Sequence, residues 1–490
     1  MKKNALSAIS FVALLTILAK ALGMLRDILQ ARAFGASAEM DAYTSASNFT
    51  VYIFSALAYA LCIAAVAVLG RKLLLGRKQT EECANGLISL CLTISVIITV
   101  TLVLLGITGV FGAEMSWYIC ILSLSMPVIV LTYMFMAFFQ SLGHYSIQGS
   151  LSLLYNIVLC FVLFLFGRNM SVAVFAACMS AAWLLQLATI VPYFFKEHYR
   201  FRFSFSISKN EIKDFAKTAF ATLFTTSAFL LCYLTDSAQS AFMGEGVVSA
   251  FYYADKLFTP LATTVIYSIS AVMFPKWSQK SKELDPFAYR LYVGKAVGNT
   301  VMFMLPLSAL AAVFGVPMVR VLFEGGSFSA DASFMTGRVF ACYALGMVGF
   351  ALLDLVAKAY YALGRTTAPL LVNVSVVAAN ILLNKLLICA GMSVYAVAAV
   401  TALVMSVGGA VLAAVFCKGT KGVFCGLRIA KSVVLSAVMF GVLHISQDLF
   451  INASDAKIML VLKCAVIGIV SAAVYGLIMY RDIKSSIKEG

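Results

Sequence analysis

The chain has 490 residues, of which 62% are hydrophobic and only 12% are charged, and its mean hydropathy is +0.98. This composition excludes a soluble globular domain, because apolar stretches of about 20 residues, each long enough to cross about 30 Å of hydrocarbon, recur from end to end. The net charge of +15 does not indicate nucleic-acid binding, since the basic residues cluster in alternate loops. We therefore predict an all-α polytopic membrane protein.

The apolar stretches predict about fourteen transmembrane helices. Loops after the even-numbered spans carry basic residues such as Arg71 and Lys72, whereas the opposite loops carry acidic residues such as Glu114. Because cytoplasmic loops are enriched in Lys and Arg, this asymmetry predicts that both termini are cytoplasmic. The predicted spans cover about 6–31, 46–70, 85–111, 118–141, 147–167, 170–194, 215–242, 247–274, 296–319, 335–362, 367–391, 394–417, 429–447 and 459–480.

Long polar breaks at 195–213 and 275–295 interrupt the apolar pattern, and the first of them separates six spans from eight. This break predicts two lobes and a short C-terminal extension. The predicted divisions are an N-terminal lobe at 1–195, a cytoplasmic linker at 196–214, a C-terminal lobe at 215–417 and two additional spans within 418–490.

A weak internal repeat supports the two lobes. The Ala-Phe pair at 33–34 recurs at 241–242, and the Ala-Tyr pair at 42–43 corresponds to Ala-Phe at 250–251, with the same offset of 208 residues. Because six spans separate the matched positions, both repeats would begin on the same side of the membrane. The pattern predicts two parallel-repeat six-helix lobes around a central cavity, with a substrate site near the midplane.

The first span carries charges where a bilayer disfavours them. Lys20, Arg26 and Asp27 lie within or near its apolar stretch, and Arg32 and Asp41 follow shortly after. A charge at the bilayer centre is costly, so such residues normally face a hydrated cavity or a partner. The alternative is purely structural: Lys20 extends toward the membrane surface, and Arg26 pairs with Asp27.

The second lobe repeats this feature. Asp236 lies in the seventh span, and Tyr252, Asp255 and Lys256 lie in the eighth. A cavity lined by basic residues from both lobes would suit an anion such as a phosphate or pyrophosphate. The alternative is that Asp255 and Lys256 neutralise neighbouring groups at the end of a helix.

The tenth and eleventh spans carry further polar groups. Asp354 and Lys358, spaced i and i+4, predict a structural salt bridge. Asn373, Asn380 and Asn384 share one face of the eleventh span, which favours interhelical hydrogen bonds. The alternative for this face is an oxygen-rich cation site, which would also use Asp236 and Thr401 and would suit sodium.

Sequence signatures of catalysis are missing. No GxxxxGK[ST] or GxSxG motif occurs, and none of the three histidines has another His or Cys at metal-ligand spacing. The twelve cysteines are scattered through apolar segments without a CxxC pair, as expected for buried thiols. We therefore predict a transporter rather than an enzyme.

Several short runs in the chain form a recognisable set. They are AKALGMLRD at 19–27, AFGAS at 33–37, DAY at 41–43, SAFYYADKL at 249–257, YALG at 343–346, YYA at 360–362 and TAP at 367–369. Together, and in this order across most of the first twelve predicted spans, they resemble MurJ/MviN-type lipid II flippases of the multidrug/oligosaccharidyl-lipid/polysaccharide exporter superfamily.

The resemblance implies a flippase that moves undecaprenyl-pyrophosphate-linked peptidoglycan precursor, lipid II, across the bacterial plasma membrane. In that family, basic residues matching Lys20, Arg26 and Lys256 line the cavity and engage the pyrophosphate. The resemblance implies no cofactor other than a sodium ion, which some members of the family bind between the seventh, eleventh and twelfth helices. The matching residues in this chain are Asp236, Asn380 and Thr401. The full set of expected substrate-binding residues is Lys20, Arg26, Asp27, Arg32, Asp41, Tyr252, Asp255 and Lys256.

Two departures put the cargo in question. Lysine stands at positions 20 and 256, where the family usually has arginine, and a lysine keeps the charge but loses bidentate geometry. The second span also lacks the paired arginines typical of the family.

We predict alternating access by a monomer whose partners are lipid II and membrane lipids. The rival functions are a flippase for another undecaprenyl-linked saccharide, a cation-coupled exporter of drugs or metabolites, and a non-transporting scaffold for cell-wall synthesis.

Overall fold

The structure is a computed structural model that describes residues 2–144, 146–226, 228–418, 426–452, 455–482 and 484. The helices are, in chain order, α1 (Lys2–Phe34), α2 (Ala38–Ser47), α3 (Ile53–Leu73), α4 (Arg77–Ile107), α5 (Ala113–Ser123), α6 (Met126–Ser141), α7 (Ser146–Phe166), α8 (Val172–Ala188), α9 (Val191–Lys196), α10 (Lys209–Thr226), α11 (Ala228–Ser240), α12 (Val247–Glu283), α13 (Pro286–Val313), α14 (Gly315–Leu322), α15 (Ala330–Leu345), α16 (Met347–Ala362), α17 (Thr367–Cys389), α18 (Val394–Phe416), α19 (Gly426–Phe450) and α20 (Lys457–Ile478). A π-helical turn at Asn48–Tyr52 joins α2 to α3.

These helices confirm the all-α membrane class. Among the described residues, nine helical segments are long and apolar enough to cross a membrane, or eleven if each of two bent helix pairs forms one span. The bent pairs are α10 with α11 and α15 with α16. The chain is thus a multi-pass membrane protein, whereas the number of fourteen spans stays a prediction.

Contacts divide the chain into two compact units, Met1–Leu223 and Phe224–Gly490. In the first unit, α1 packs along α7. The amide of Asn156 on α7 donates to the Ala19 carbonyl at 3.1 Å, and the Cys160 thiol donates to the Leu22 carbonyl at 3.4 Å. Polar side chains of α7 therefore fix the depth at which the charged part of α1 lies.

The turn after α1 follows from its sequence. Gly35 has a φ of +67°, a left-handed conformation that glycine adopts without steric cost, and it ends α1 directly after Phe34. Ser37 then caps α2, because its hydroxyl accepts a hydrogen bond from the Met40 backbone N–H at 3.2 Å. This turn places Asp41 in the first turn of α2, where the helix dipole favours a carboxylate.

Part of the predicted linker at 196–214 is held on the surface of α4. The Tyr199 hydroxyl donates to Asn85 Oδ1 at 2.6 Å, and the Ser204 backbone N–H donates to Ser89 Oγ at 3.0 Å. These bonds satisfy polar groups of an extended segment that has no secondary structure of its own.

In the second unit, α16 is surrounded by α12, α13, α17 and α18. Gly349 allows the close approach of α16 to α18, because a Cβ at this position would overlap the backbone at Ser406. The C-terminal helices α19 and α20 belong to the same unit. Met439, Leu443 and Tyr475 of these helices form a buried cluster with Met302 of α13.

Candidate functional site

Arg26, in the charged part of α1, is held by three polar contacts. Its Nε and Nη2 donate to Asp27 Oδ1 at 3.1 and 2.7 Å, and its Nη1 donates to Asn156 Oδ1 at 3.0 Å. Its guanidinium carbon lies 5.6 Å from the centre of the Tyr155 ring. The side chains of Arg26 and Asp27 are only 12% and 7% exposed. The pairing that we considered as the structural alternative is therefore present, and α7 supplies two further partners.

The other predicted residues of this half are less enclosed. Lys20 is exposed on α1, and Arg32 is exposed in the last turn of the same helix. Asp41 is half-buried at the start of α2. The structure brings Arg26 and Asp27 together, whereas Lys20 is exposed on the surface of α1.

On α12, Lys256 lies beside an aromatic ring and a carboxylate. Its Nζ is 4.7 Å from the centre of the Tyr252 ring and 3.9 Å from Asp255 Oδ2. Asp255 is buried and accepts a hydrogen bond from the Thr259 hydroxyl at 2.6 Å. A cation over an aromatic face keeps its charge available to a further anion, because the ring carries no net charge. Tyr252, Asp255 and Lys256 thus form one cluster, as their spacing on a helix requires.

Asp236 on α11 is the centre of a buried polar group in the second unit. Its carboxylate is fully buried and accepts hydrogen bonds from four side chains on three other helices. The Tyr343 and Thr401 hydroxyls donate to Oδ2 at 2.8 and 2.5 Å, and the Asn380 and Asn384 amides donate to Oδ1 at 3.0 and 2.6 Å. These donors stabilise a buried charge that would otherwise be costly.

The Asp236 cluster has the oxygen atoms that a small hard cation prefers. Besides the carboxylate it contains two amide oxygens and the Thr401 hydroxyl oxygen. The Asn384 Oδ1 atom is buried and, among the described residues, has no hydrogen-bond partner. An amide can present either its oxygen or its nitrogen to a neighbour. Rotation of the Asn380 and Asn384 amides could therefore replace their N–H donors by oxygen ligands for a cation. The residues therefore fit sodium.

Transition-metal sites have a different composition. Within the part of the chain that the structure describes, no three His, Cys, Asp or Glu side chains are grouped so that they could hold a metal ion. The Asp236 cluster has one carboxylate and otherwise neutral oxygens, which suits a monovalent cation better than zinc.

The predicted ion pair on α16 is present. Lys358 Nζ lies 2.5 Å from Asp354 Oδ2, and Ser270 of α12 contacts both residues. The prediction of a salt bridge from the i, i+4 spacing is confirmed.

Sequence reasoning missed two members of these clusters. Asn156 was not considered as a partner of Arg26, although an amide inside an apolar span is itself a signal of an interhelical bond. Tyr343 was read only as part of a motif, and no periodicity links it to Asp236. Asn384 belonged to the face that was considered as an alternative cation site, but the set implied by the family resemblance contained only Asp236, Asn380 and Thr401.

The family model described as lipid II flippase MurJ matches residues 30–473. A protein named probable lipid II flippase MurJ from Buchnera aphidicola subsp. Acyrthosiphon pisum (strain APS) is 24% identical over 409 residues, which cover 79% of this chain and 78% of the relative.

Solved structures show the same fold. A structure described as lipid II flippase MurJ in an inward closed conformation matches with a TM-score of 0.79 at 20% identity, covering 96% of this chain and 99% of that chain. An inward-facing multidrug resistance MATE family transporter matches with a TM-score of 0.64 at 15% identity, covering 84% and 95%. The family match over most of the sequence confirms the resemblance that the motifs indicated: the chain belongs to the lipid II flippase MurJ family.

Proposed function

We propose that this protein moves lipid-linked peptidoglycan precursor, lipid II, across the bacterial plasma membrane by alternating access. The observation that carries the proposal is the family match over residues 30–473. The same family identity supports transport without a chemical step of its own. The test is complementation of a bacterial strain depleted of its lipid II flippase, and failure of the well-expressed protein to restore growth would refute the assignment.

We assign recognition of the anionic headgroup to the charged residues of α1 and α12. Lys20 and Lys256 would donate to phosphate oxygens, and Arg26 would add its guanidinium once it leaves Asp27. Phosphate is a strong acceptor for such cations. Arg32 and Asp41 in the first unit, and Tyr252 and Asp255 in the second, would contribute further polar contacts, while the prenyl chain stays in lipid.

Lys20 offers a direct test of this assignment, because its side chain is exposed on α1. A lost charge-assisted hydrogen bond is worth about 1.5–3 kcal/mol, so Lys20→Ala should weaken lipid II binding roughly ten- to hundredfold in native mass spectrometry. Lys78→Ala, at an exposed lysine in the first turn of α4, is the matched control.

Arg26 needs a paired variant, since Arg26→Ala alone would leave Asp27 buried without its cation. Arg26→Gln combined with Asp27→Asn removes both charges and keeps the side-chain shapes. Unchanged lipid II binding by Lys20→Ala and by this double variant would defeat the headgroup assignment.

We further propose that sodium binds at Asp236, Asn380 and Thr401, with Asn384 as an additional oxygen ligand. A bound cation would neutralise the carboxylate and bias the transport cycle, since each charge moved through 100 mV is worth about 2.3 kcal/mol. A ligand that binds only the folded state raises its stability. Replacing choline chloride by sodium chloride should therefore raise the Tm of the wild type but not that of Asp236→Asn. Equal sodium responses in the two proteins would refute the site.

The remaining features of the proposal concern topology and assembly. The loop charges support cytoplasmic termini, and the family match supports a bacterial plasma-membrane location. Reporter fusions at both ends test the orientation, and the mass of the detergent-solubilised protein tests the proposed monomer.

A second candidate is a cation-coupled exporter of drugs or metabolites, which the shared fold with a MATE transporter favours. Its cargo would be cationic and would require acidic contact residues. Increased drug resistance on overexpression, without complementation of the flippase-depleted strain, would support this function instead.

A further inference from the structure

An ion pair on α16 occupies the least buried face of this part of the helix. Of the ten residues from Ala351 to Tyr360, Asp354 and Lys358 are half-buried, and the other eight are buried. The buried residues pack against α12, α13, α17 and α18 of the same unit. The two charged side chains therefore lie where a molecule from outside this helix group can reach them.

Three polar groups contact one another at this position. Lys358 Nζ donates to Asp354 Oδ2 at 2.5 Å and to Ser270 Oγ at 2.9 Å. The Ser270 hydroxyl in turn donates to Asp354 Oδ2 at 3.3 Å. Ser270 is buried and belongs to α12, the helix that also carries Lys256. The side chains of Asp354 and Lys358 keep 20% and 25% of their surface exposed.

Stability alone does not account for this pair. An i, i+4 ion pair with partly exposed groups contributes little to folding, whereas charged groups within an apolar membrane helix are costly to keep. α15 and α16 together have the length and hydropathy of one bent membrane span. Charged residues in such a span are therefore better explained by a ligand or by a hydrated path than by folding.

We propose that Lys358 is a further contact for the diphosphate of the cargo, and that Asp354 holds its ammonium group until the cargo arrives. A phosphate oxygen would displace the Asp354 carboxylate, because a diphosphate carries more charge than a carboxylate and offers more acceptor atoms. Ser270 keeps its hydroxyl beside the ammonium group and can donate to either anion. The ligand class is a prenyl diphosphate, so the inference rests on the proposed lipid-linked cargo and adds a contact to it.

Because the cargo and Asp354 compete for Lys358, substitutions of the two residues should change the affinity for the diphosphate in opposite directions. Lys358→Gln removes the cation and should weaken binding of undecaprenyl diphosphate roughly tenfold or more. Asp354→Asn removes the competing anion and should tighten binding several-fold. A purely structural pair predicts that both substitutions weaken binding, or that neither changes it. Native mass spectrometry of the full-length protein with undecaprenyl diphosphate measures both effects, and undecaprenol, which lacks the diphosphate, is the control ligand.

A charge-swapped variant separates folding from binding. Asp354→Lys combined with Lys358→Asp keeps an i, i+4 ion pair and should keep the wild-type Tm. It should lose affinity for the diphosphate, because the ammonium group has moved by one helical turn. Wild-type affinity in this variant, or equal weakening by Lys358→Gln and Asp354→Asn, would overturn the inference.

Failure of the proposed contact at Lys358 can be distinguished from failure of the proposed function. If the wild type binds undecaprenyl diphosphate with the predicted dependence on Lys358 but does not complement a flippase-depleted strain, the contact stands and the lipid II assignment fails. If the wild type complements and Lys358→Gln binds undecaprenyl diphosphate as tightly as the wild type, only the contact at Lys358 is refuted.

Discussion

Replacing Asp236 by alanine should destabilise the second unit more than any exposed substitution. The carboxylate is fully buried and accepts hydrogen bonds from the side chains of Tyr343, Asn380, Asn384 and Thr401. Alanine would leave these donors buried without their acceptor, and each such donor costs about 1–3 kcal/mol. Even at the lower end of that range, the loss is roughly 4 kcal/mol. At about 2 °C per kcal/mol for a unit of this size, the apparent Tm should fall by roughly 8 °C.

The assay is thermal unfolding of the purified proteins in one detergent at fixed salt. Asp236→Asn should fall between the wild type and Asp236→Ala, because the amide keeps one acceptor oxygen. Asp214→Ala is the matched control, since its carboxylate is 63% exposed and forms only a long surface ion pair with Arg71 at 3.5 Å. Such pairs contribute about 0–1 kcal/mol. If Asp236→Ala and Asp214→Ala unfold within about 2 °C of each other, the carboxylate does not hold these helices together.

Other predictions concern packing and surface charge. Gly349→Ala should lower the Tm, because overpacking against α18 costs about 1–3 kcal/mol. Gly441→Ala is the control and should leave the Tm unchanged, since no described atom lies within 4 Å of a Cβ at that position. Equal Tm values for the two variants would contradict the close approach of α16 to α18. Asn156→Ala should cost about 1–3 kcal/mol by removing the bonds between α1 and α7, and an unchanged Tm would show that those bonds are dispensable. The His144 ring, 2.6 Å from the Glu197 carboxylate, holds the pKa of that carboxyl below its usual range, so its stabilising effect is present at neutral pH and lost as the pH falls through the lowered pKa. The Tm difference between the wild type and Glu197→Gln should thus shrink below about pH 4.3, and a difference that grows in acid would refute this sign.

The sequence predicted contacts well where both partners belong to one helix. The pair Asp354–Lys358 and the Lys256 cation beside Tyr252 follow from separations of four residues. In a helix with 3.6 residues per turn, such separations bring side chains together whatever the rest of the chain does.

Contacts between different helices were harder to predict from the sequence. Asn380 and Asn384 were expected on one face of α17, but the choice of Asp236 as their acceptor depends on how α11 packs beside that face. The Tyr343 hydroxyl joins the same carboxylate from α15, 107 residues away in the chain. Asn156 reaches Arg26 over 130 residues.

Composition and charge by themselves determined that this chain is an apolar, all-helical membrane protein, because only helices satisfy their backbone hydrogen bonds within one apolar segment. Motif order alone indicated the family. The tertiary structure decided which buried polar groups meet, since those partners are set by the depth and rotation of packed helices, and local periodicity specifies neither.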